Sequence, residues 1–277
     1  MTNKKVAGLL FSVCLIFSVA FISLKSMPNL QQQQPQTTDK PYTVITANYS
    51  GVSYDLYCPS NYSGSLVIFA GGILGHKQYL AGWAPVLAEE GYAVLTFTTP
   101  AEDLDHVPRY VDNCKNNIQT LIPFVFDETL FPIQVNNKSV ALVGMSGGGA
   151  TVLAMNDTRI KTTVAICPYY INNSCVENSS PVLIITGAND TICPPDTNGL
   201  AYYNELEPNK MLIEQTDVGH DMGPAGWTDL VAWLDYFAND DTSAYPILTN
   251  VNNDPQVAFS LNEFSDLSYV DPNTICN

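Results

Sequence analysis

One short segment constrains the fold of this chain more than any other. An uninterrupted apolar run, Val140 to Val143, leads directly into Gly-Met-Ser-Gly-Gly at positions 144–148, and small residues follow. A Gly-X-Ser-X-Gly sequence between a buried strand and a helix is typical of a sharp turn that exposes the serine hydroxyl. Glycine is needed at 144 and 148, since side chains there would collide with neighbouring backbone. Ser146 would also lie at a helix amino terminus, which favours developing negative charge. We therefore interpret Ser146 as a candidate nucleophile.

The rest of the chain alternates between β-rich runs and helical patterns. Most of the later β-rich runs are continuously apolar, as expected of parallel strands covered on both faces. The predicted strands are Tyr42–Ala47, Ser53–Tyr57, Leu66–Ala70, Ala93–Thr98, Ser139–Val143, Thr162–Ile166, Pro181–Thr186 and Lys210–Glu214. The predicted helices are Leu80–Glu90, Val111–Phe124, Gly147–Met155, Thr197–Glu205 and Gly226–Phe237. This alternation predicts an α/β fold with a mostly parallel, doubly wound sheet and helices on both faces. The first two β-rich runs are expected to form an antiparallel edge, because no helix fits between them.

Composition limits the classes of partner. Of 277 residues, 46% are hydrophobic, which is enough for a large core, and 11 Lys and Arg against 27 Asp and Glu give a net charge of −16. Such an acidic surface repels phosphate backbones, so we expect no nucleic-acid partner. We expect a monomer with one domain over residues 42–277, since that length fits one large α/β domain better than two average ones.

The first 41 residues differ from the rest. Lys4 and Lys5 precede an apolar run, Val6 to Leu24, which resembles either a cleaved signal peptide within residues 1–24 or an uncleaved membrane anchor. Residues 25–41 form a Gln-rich linker with nothing to bury. The sequence therefore predicts a secreted protein, or one anchored through residues 6–24 outside the cytoplasm.

Cysteines and glycosylation sequons fit the same compartment. Outside the leader the cysteines are six in number, an even count that is expected where disulfides persist: Cys58, Cys114, Cys167, Cys175, Cys193 and Cys276. Only one pair is predicted, Cys167 with Cys175, because these two bracket a short polar loop. No CxxC motif and no His/Cys cluster with zinc spacing occurs. Sequons that permit N-glycosylation are at Asn48, Asn61, Asn137, Asn156, Asn172, Asn178 and Asn189.

A serine hydroxyl needs a base, and the base needs an orienting acid. Of three histidines, only His220 follows Ser146, as the order nucleophile, acid, histidine requires. Asp190 lies between them, just past a predicted strand, and is the expected acid. Asp196 and Asp217 are the alternatives. His106 is expected in a solvated loop.

An oxyanion hole needs two preorganised N–H donors. The residue after the nucleophile, Gly147, supplies one. The second is expected from the glycine-rich loop after strand Leu66–Ala70, with the amide of Ile73 first and that of Gly72 next. Gly72 and His76 are also expected near the substrate.

Several segments resemble the bacterial cutinases and poly(ethylene terephthalate) hydrolases, and their dienelactone-hydrolase and chlorophyllase relatives. The likeness rests on residues 69–73, 83–94 and 144–149, and on the Asp190 and His220 regions. It implies the α/β-hydrolase fold. It also implies that Ile73 replaces an aromatic substrate contact, and that Tyr169 matches a substrate-stacking tryptophan. A different residue commonly follows the serine where this chain has Gly147.

These observations lead to a functional hypothesis. We expect a serine hydrolase that cleaves carboxylic esters of a small molecule, a lipid or a polyester through an acyl-enzyme on Ser146, with no cofactor and no metal. A peptidase or acyltransferase with the same residues stays open as an alternative, as does a non-catalytic secreted binding module on the same scaffold.

Overall fold

A computed structural model describes residues 40–73, 75–99, 106–135, 140–171, 178–207, 209–223 and 225–263. The strands of the described residues are β1 (Tyr42–Tyr49), β2 (Val52–Pro59), β3 (Leu66–Ala70), β4 (Ala93–Phe97), β5 (Val140–Met145), β6 (Ile160–Ile166), β7 (Val182–Gly187), β8 (Lys210–Gln215) and β9 (Val257–Glu263). The helices are α1 (Ala84–Glu89), α2 (Val107–Val125), α3 (Gly147–Leu153), α4 (Gly199–Glu205), α5 (Trp227–Ala238) and α6 (Tyr245–Thr249). The leader, the Gln-rich linker and Cys276 lie outside the described residues.

The strands form one sheet in the order β1-β2-β4-β3-β5-β6-β7-β8-β9. The six strands from β4 to β8 are parallel, whereas β1 and β2 form an antiparallel edge and β9 pairs antiparallel with β8. The predicted mostly parallel sheet and its antiparallel first edge are therefore confirmed.

Helices cover both faces of the sheet, as the continuous apolar strands predict. Alternate residues of β3 illustrate this: Ile68 packs with α2, α3 and α4 on one face, and Phe69 packs with α1, α5 and α6 on the other. Each face thus has its own buried cluster. Strands covered on both sides present their side chains to solvent only at their ends, which directs functional groups to the loops there.

Three helical details differ from the sequence predictions. Helix α1 begins at Ala84 rather than Leu80, because Lys77–Leu80 form a separate 3-10 turn. Helix α2 begins at Val107, four residues before the predicted start, and Pro108 lies in its first turn. Proline is tolerated there because the first N–H groups of a helix have no hydrogen-bond partner within the helix. Residues 239–263, to which the sequence analysis assigned no structure, contribute α6 and β9.

The structure does not support the predicted Cys167–Cys175 bridge, because Cys167 is a free thiol, and Cys175 lies outside the described residues. Among the described residues, Cys58, Cys114, Cys167 and Cys193 are all free thiols. Cys167 directly follows β6 and is completely buried, and its sulfur lies within 4.8 Å of a carboxylate oxygen of Asp190.

The sequon at Asn178 is not available for glycosylation in the folded protein. Asn178 is buried, and its amide donates to the Val152 carbonyl at 3.2 Å and to the Thr163 hydroxyl at 2.7 Å. Asn48, Asn61, Asn156 and Asn189 lie at partly or fully exposed positions, and the other two sequons fall outside the described residues. None of the described helices is both long enough and apolar enough to cross a bilayer.

Candidate active site

Ser146 lies at the turn between β5 and α3, in a backbone conformation that is rare for a residue with a side chain. Its φ is 56° and its ψ is −119°. Such a conformation costs on the order of 1–3 kcal/mol and persists only when the surroundings enforce it. They do so here, because a Cβ at Gly144 would lie 2.2 Å from the carbonyl oxygen of Gly148, and one at Gly148 would lie 2.3 Å from that of Ala70. Both glycines are therefore needed for the turn, as predicted.

Asp190 and His220 meet beyond the ends of β7 and β8. His220 Nδ1 is 2.8 Å from Asp190 Oδ2. The Asp190 side chain is fully buried, and that of His220 keeps 18% of its exposure. The two loops are joined by the Asn189 amide, which donates to the Val218 carbonyl at 2.8 Å. This arrangement brings together the acid and base that the sequence analysis selected.

The carboxylate of Asp190 is ionised in spite of its burial. Its Oδ1 accepts hydrogen bonds from the amides of Ile192 and Cys193, both at 2.8 Å. Burial alone would raise the pKa of Asp190, but the Cys193 amide, His220 and the Ile192 amide together outweigh it and hold the pKa below its ordinary value. One oxygen is thus anchored by the backbone, and the other is left for the histidine.

The alternative acids and the remaining histidines lie elsewhere. Asp196 is exposed in a 3-10 turn after β7, and Asp217 is exposed at a turn where its φ is 58°. His106 is exposed at the start of α2, in agreement with its predicted solvated position. His76 is also exposed, and its Nδ1 accepts a hydrogen bond from the Gln78 amide at 3.2 Å.

The loops that follow the neighbouring strands β3 and β5 meet at Ser146. A Cβ at Gly72 would lie 3.3 Å from Ser146 Cβ and 3.7 Å from its Oγ. A Cβ at Gly147 would lie 3.6 Å from the amide nitrogen of Ile73. The amides of Ile73 and Gly147, the two predicted oxyanion donors, are therefore close to each other and to the nucleophile.

Tyr110 of α2 supports both loops. Its ring is fully buried, and its hydroxyl donates to the Gly71 carbonyl at 2.7 Å. The same ring would lie 3.1 Å from a Cβ at Gly147. One buried aromatic side chain thus contacts both loops and holds them at a fixed spacing. Its role was not predicted from the sequence.

Tyr169 lies beside the candidate nucleophile. Its amide donates to the Ser146 carbonyl at 3.0 Å, and its side chain is 38% exposed. Ile192, next to the acid, is 62% exposed. Exposed apolar side chains thus occur on the loops that follow both β6 and β7, where an apolar group of a ligand could contact them.

Two buried thiols also adjoin the site, and the sequence analysis missed both. Burial raises the pKa of Cys193 to about 12 in spite of its hydrogen bond with the Ser146 hydroxyl. Burial, with the nearby carboxylate of Asp190, also raises the pKa of Cys167 above its ordinary value. The available signal was positional, since Cys167 directly follows a strand and Cys193 is three residues after the candidate acid.

The chain is similar to known proteins over most of its length. A family model described as PET hydrolase-like matches residues 25–265, well over half of the chain. Cutinase 1 of Thermobifida cellulosilytica is 25% identical over 237 residues, which cover 78% of this chain and 90% of that relative. Bis(hydroxyethyl) terephthalate hydrolase of Streptomyces coelicolor is 22% identical, over 73% of this chain and 69% of the relative. Lipase 1 of a Moraxella species is 23% identical over 68% of this chain, and the match spans 60% of that lipase. From its α/β fold and from the extent of the family match, the chain belongs to the PET hydrolase-like family of α/β-hydrolases.

Proposed function

We propose that this protein hydrolyses carboxylic esters through an acyl-enzyme on Ser146, with His220 as general base and Asp190 as the orienting acid. The observation that carries this proposal is the 2.8 Å pairing of His220 Nδ1 with a buried, anchored Asp190 carboxylate. Such a pairing holds the imidazole in the tautomer whose Nε2 can accept a proton from a hydroxyl. The names of the relatives, a cutinase, a terephthalate hydrolase and a lipase, support the same class of reaction.

The first half of the reaction is acylation. His220 Nε2 takes the proton of the Ser146 hydroxyl while Oγ attacks the ester carbonyl carbon, and the carbonyl oxygen becomes an oxyanion. The His220 imidazolium then gives its proton to the departing alcohol as the C–O bond breaks. The buried Asp190 carboxylate stabilises the imidazolium without itself accepting a proton.

Deacylation repeats these steps with water. His220 removes a proton from the water as it attacks the acyl carbon, and it returns that proton to Ser146 Oγ when the acid departs. In both halves the amides of Ile73 and Gly147 donate to the oxyanion. Their mutual closeness, and the support of both loops by Tyr110, argue that these donors are preorganised rather than assembled during the reaction.

The surroundings of Ser146 favour an ester with an apolar acyl or aryl group. The exposed side chains of Tyr169 and Ile192 can pack on such a group, and the aliphatic Ile73 adds a third apolar surface. Gly72, which adjoins the nucleophile, leaves room for the scissile carbonyl. His76 is proposed only as an outer contact, since it is exposed. Small esters, lipids and polyesters all satisfy this description, so the substrate series below includes more than one of them.

We further propose that the protein acts as a monomer outside the cytoplasm. The support is the basic and apolar leader, the Gln-rich linker at residues 25–41 and the exposed sequons. N-terminal sequencing and native mass measurement of the protein from its own culture would test this. A cytoplasmic location with an intact leader in a soluble fraction would contradict it.

The test of the proposed reaction varies the acyl chain length of the substrate and compares a substitution of Ser146 with one of a control serine. We would measure hydrolysis of p-nitrophenyl esters from acetate to palmitate, and of bis(hydroxyethyl) terephthalate, by the wild type and by Ser146→Ala. Ser243→Ala, at an exposed serine after α5, is the control. We expect Ser146→Ala to lower kcat/KM by about 10⁴-fold or more and Ser243→Ala to leave it unchanged. Equal, background-level rates for the wild type and Ser146→Ala on every ester would refute the proposal.

A further inference from the structure

The tertiary structure assembles three metal-ligating side chains that are far apart in the sequence. The sulfur of Cys167, a carboxylate oxygen of Asp190 and a ring nitrogen of His220 all lie within 4.8 Å of one another. They come from the loops after three adjacent strands, β6, β7 and β8. The proposed hydrolytic mechanism uses Asp190 and His220 but gives Cys167 no role.

The ligand set selects one class of cation. A thiolate, an imidazole and a carboxylate are the donors typical of zinc sites, whereas Ca²⁺ and Mg²⁺ prefer oxygen donors alone. At bond lengths of about 2.0–2.3 Å, tetrahedral ligands are separated by about 3.6 Å. His220 Nδ1 and Asp190 Oδ2, at 2.8 Å, are about 0.8 Å closer than that spacing, and no pair of the three donors is further apart than 4.8 Å.

Charge balance also favours a divalent cation here. Cys167 and Asp190 are buried, and an uncompensated second negative charge beside Asp190 would be strongly disfavoured. A Cys167 thiolate and an Asp190 carboxylate together carry two negative charges, so that a divalent cation with neutral His220 leaves the cluster neutral. In addition, Asp190 Oδ1 is held by the Ile192 and Cys193 amides, which leaves Oδ2 facing His220 Nδ1 and free to act as a ligand.

We propose that Cys167, Asp190 and His220 form an inhibitory binding site for Zn²⁺ and similar thiophilic divalent cations. On binding, Cys167 loses its S–H proton to solvent and its sulfur bonds to the metal. The ring proton of His220 moves from Nδ1 to Nε2 through solvent, and Nδ1 becomes the second ligand. Asp190 Oδ2 is the third ligand, and a water molecule completes the tetrahedron.

Inhibition follows from the position of that ring proton. With the metal on Nδ1, His220 Nε2 carries a hydrogen and can no longer accept the proton of Ser146. Asp190 is simultaneously withdrawn from its orienting role. The remaining exposure of His220 provides the route of entry for the cation. The inhibitory part of this inference rests on the proposed function, but the binding part does not.

Activity measurements test the inhibition. We would titrate Zn²⁺ against ester hydrolysis by the wild type, Cys167→Ala and the control Cys58→Ala, each relative to its own metal-free rate. Cys58 is a partly buried thiol on β2, remote from the site in the sheet order. We expect Cys167→Ala to raise the half-inhibiting zinc concentration by about 100-fold or more, since the loss of an outer-shell partner alone costs 10–100-fold. Cys58→Ala and the wild type should match, and Ca²⁺ or Mg²⁺ should not inhibit.

A spectroscopic measurement tests binding without any enzyme activity. Co²⁺ bound to the wild-type protein should give a thiolate-to-cobalt charge-transfer band and the strong visible absorption of tetrahedral cobalt. Both should be absent from Cys167→Ala and reversed by a chelator. Zinc inhibition that is equal in the wild type and Cys167→Ala would overturn the proposal, as would a wild-type cobalt spectrum without a thiolate band. If the wild type binds cobalt in this way but hydrolyses no ester, the proposed function fails and the metal site stands.

Discussion

Replacing Asp190 with Asn would test how the imidazole is oriented. In the wild type, Asp190 Oδ1 accepts from the amides of Ile192 and Cys193, and Oδ2 faces His220 Nδ1. In Asp190→Asn one of these positions must be an NH₂ group. If the NH₂ faced the two amides, three donors would meet in a buried space without an acceptor, so that orientation is excluded.

The NH₂ group that Asp190→Asn introduces must therefore face His220. A donor at that position requires Nδ1 to accept, which moves the ring proton to Nε2, where it cannot receive the proton of Ser146. Packing is almost unchanged, because Asp and Asn have the same shape. The expected loss is about 10⁴-fold in kcat, the magnitude that a wrong histidine tautomer causes in other serine hydrolases.

Stopped-time hydrolysis of p-nitrophenyl butyrate by Asp190→Asn measures this loss, with Asp196→Asn as the matched control. Asp196 is an exposed carboxylate on the same loop, so its variant should keep wild-type activity. Because folding lowers the pKa of Asp190, its ionised form stabilises the fold at neutral pH, and that contribution is lost as pH falls through the folded-state value. Asp190→Asn should thus be less stable than the wild type at pH 7 but not in acid. A kcat within tenfold of the wild type would refute the tautomer argument.

Three further predictions concern stability, each measured by urea unfolding. Burial raises the pKa of Asp229 from 3.8 to about 6, which corresponds to about 3 kcal/mol of lost stability at about 1.4 kcal/mol per pKa unit. Asp229→Asn should therefore stabilise the protein by about 2–3 kcal/mol at pH 8 and by much less at pH 4. A gain in stability that does not vary with pH would contradict this. Lys77 is buried and bonds Asp55 at 2.5 Å, so Lys77→Met should cost about 3 kcal/mol by leaving a charge unpaired, and adding Asp55→Leu should recover part of that loss. Gly148→Ala should lower the free energy of unfolding by more than the about 1–3 kcal/mol typical of overpacking, because its methyl group would lie 2.3 Å from backbone oxygen. The control Gly82→Ala has open space around its methyl group and should lower it by less than about 1 kcal/mol.

The sequence predicted the elements whose pattern is local. Most of strands β3 to β8 are predominantly apolar because both of their faces are covered, and each of the six was placed within two residues at both ends. The turn at Ser146 was predictable for a similar reason, since the glycines on both sides have no tolerance for a side chain. The order of Ser146, Asp190 and His220 along the chain then selected one acid and one base from several candidates.

Features that depend on distant partners were missed. Strand β9 contains the alternation Val257, Phe259, Leu261, but it lies at an exposed edge, and its surroundings in the sequence are rich in polar residues. Cys167 was assigned to a disulfide because a second cysteine follows it closely in the sequence. Its actual neighbours, Asp190 and His220, are 23 or more residues away along the chain. The one local signal, the position of Cys167 directly after a strand, places it at the edge of the sheet but does not specify these neighbours.

The positions of the three candidate catalytic residues follow the order of the strands that precede them. Strands β5, β6, β7 and β8 are consecutive neighbours, so the ends of β5 and β8 are about 14 Å apart at about 4.8 Å per strand. Ser146 comes one residue after β5, Asp190 three residues after β7, and His220 five residues after β8. The number of residues between the strand end and the candidate residue thus increases with the distance of that strand from β5. For His220 to reach Ser146, as the proposed mechanism requires, its loop must extend across the ends of β7 and β6, and Asp190 lies at the first of these. The path that the mechanism requires of the proposed base therefore leads past its proposed orienting acid.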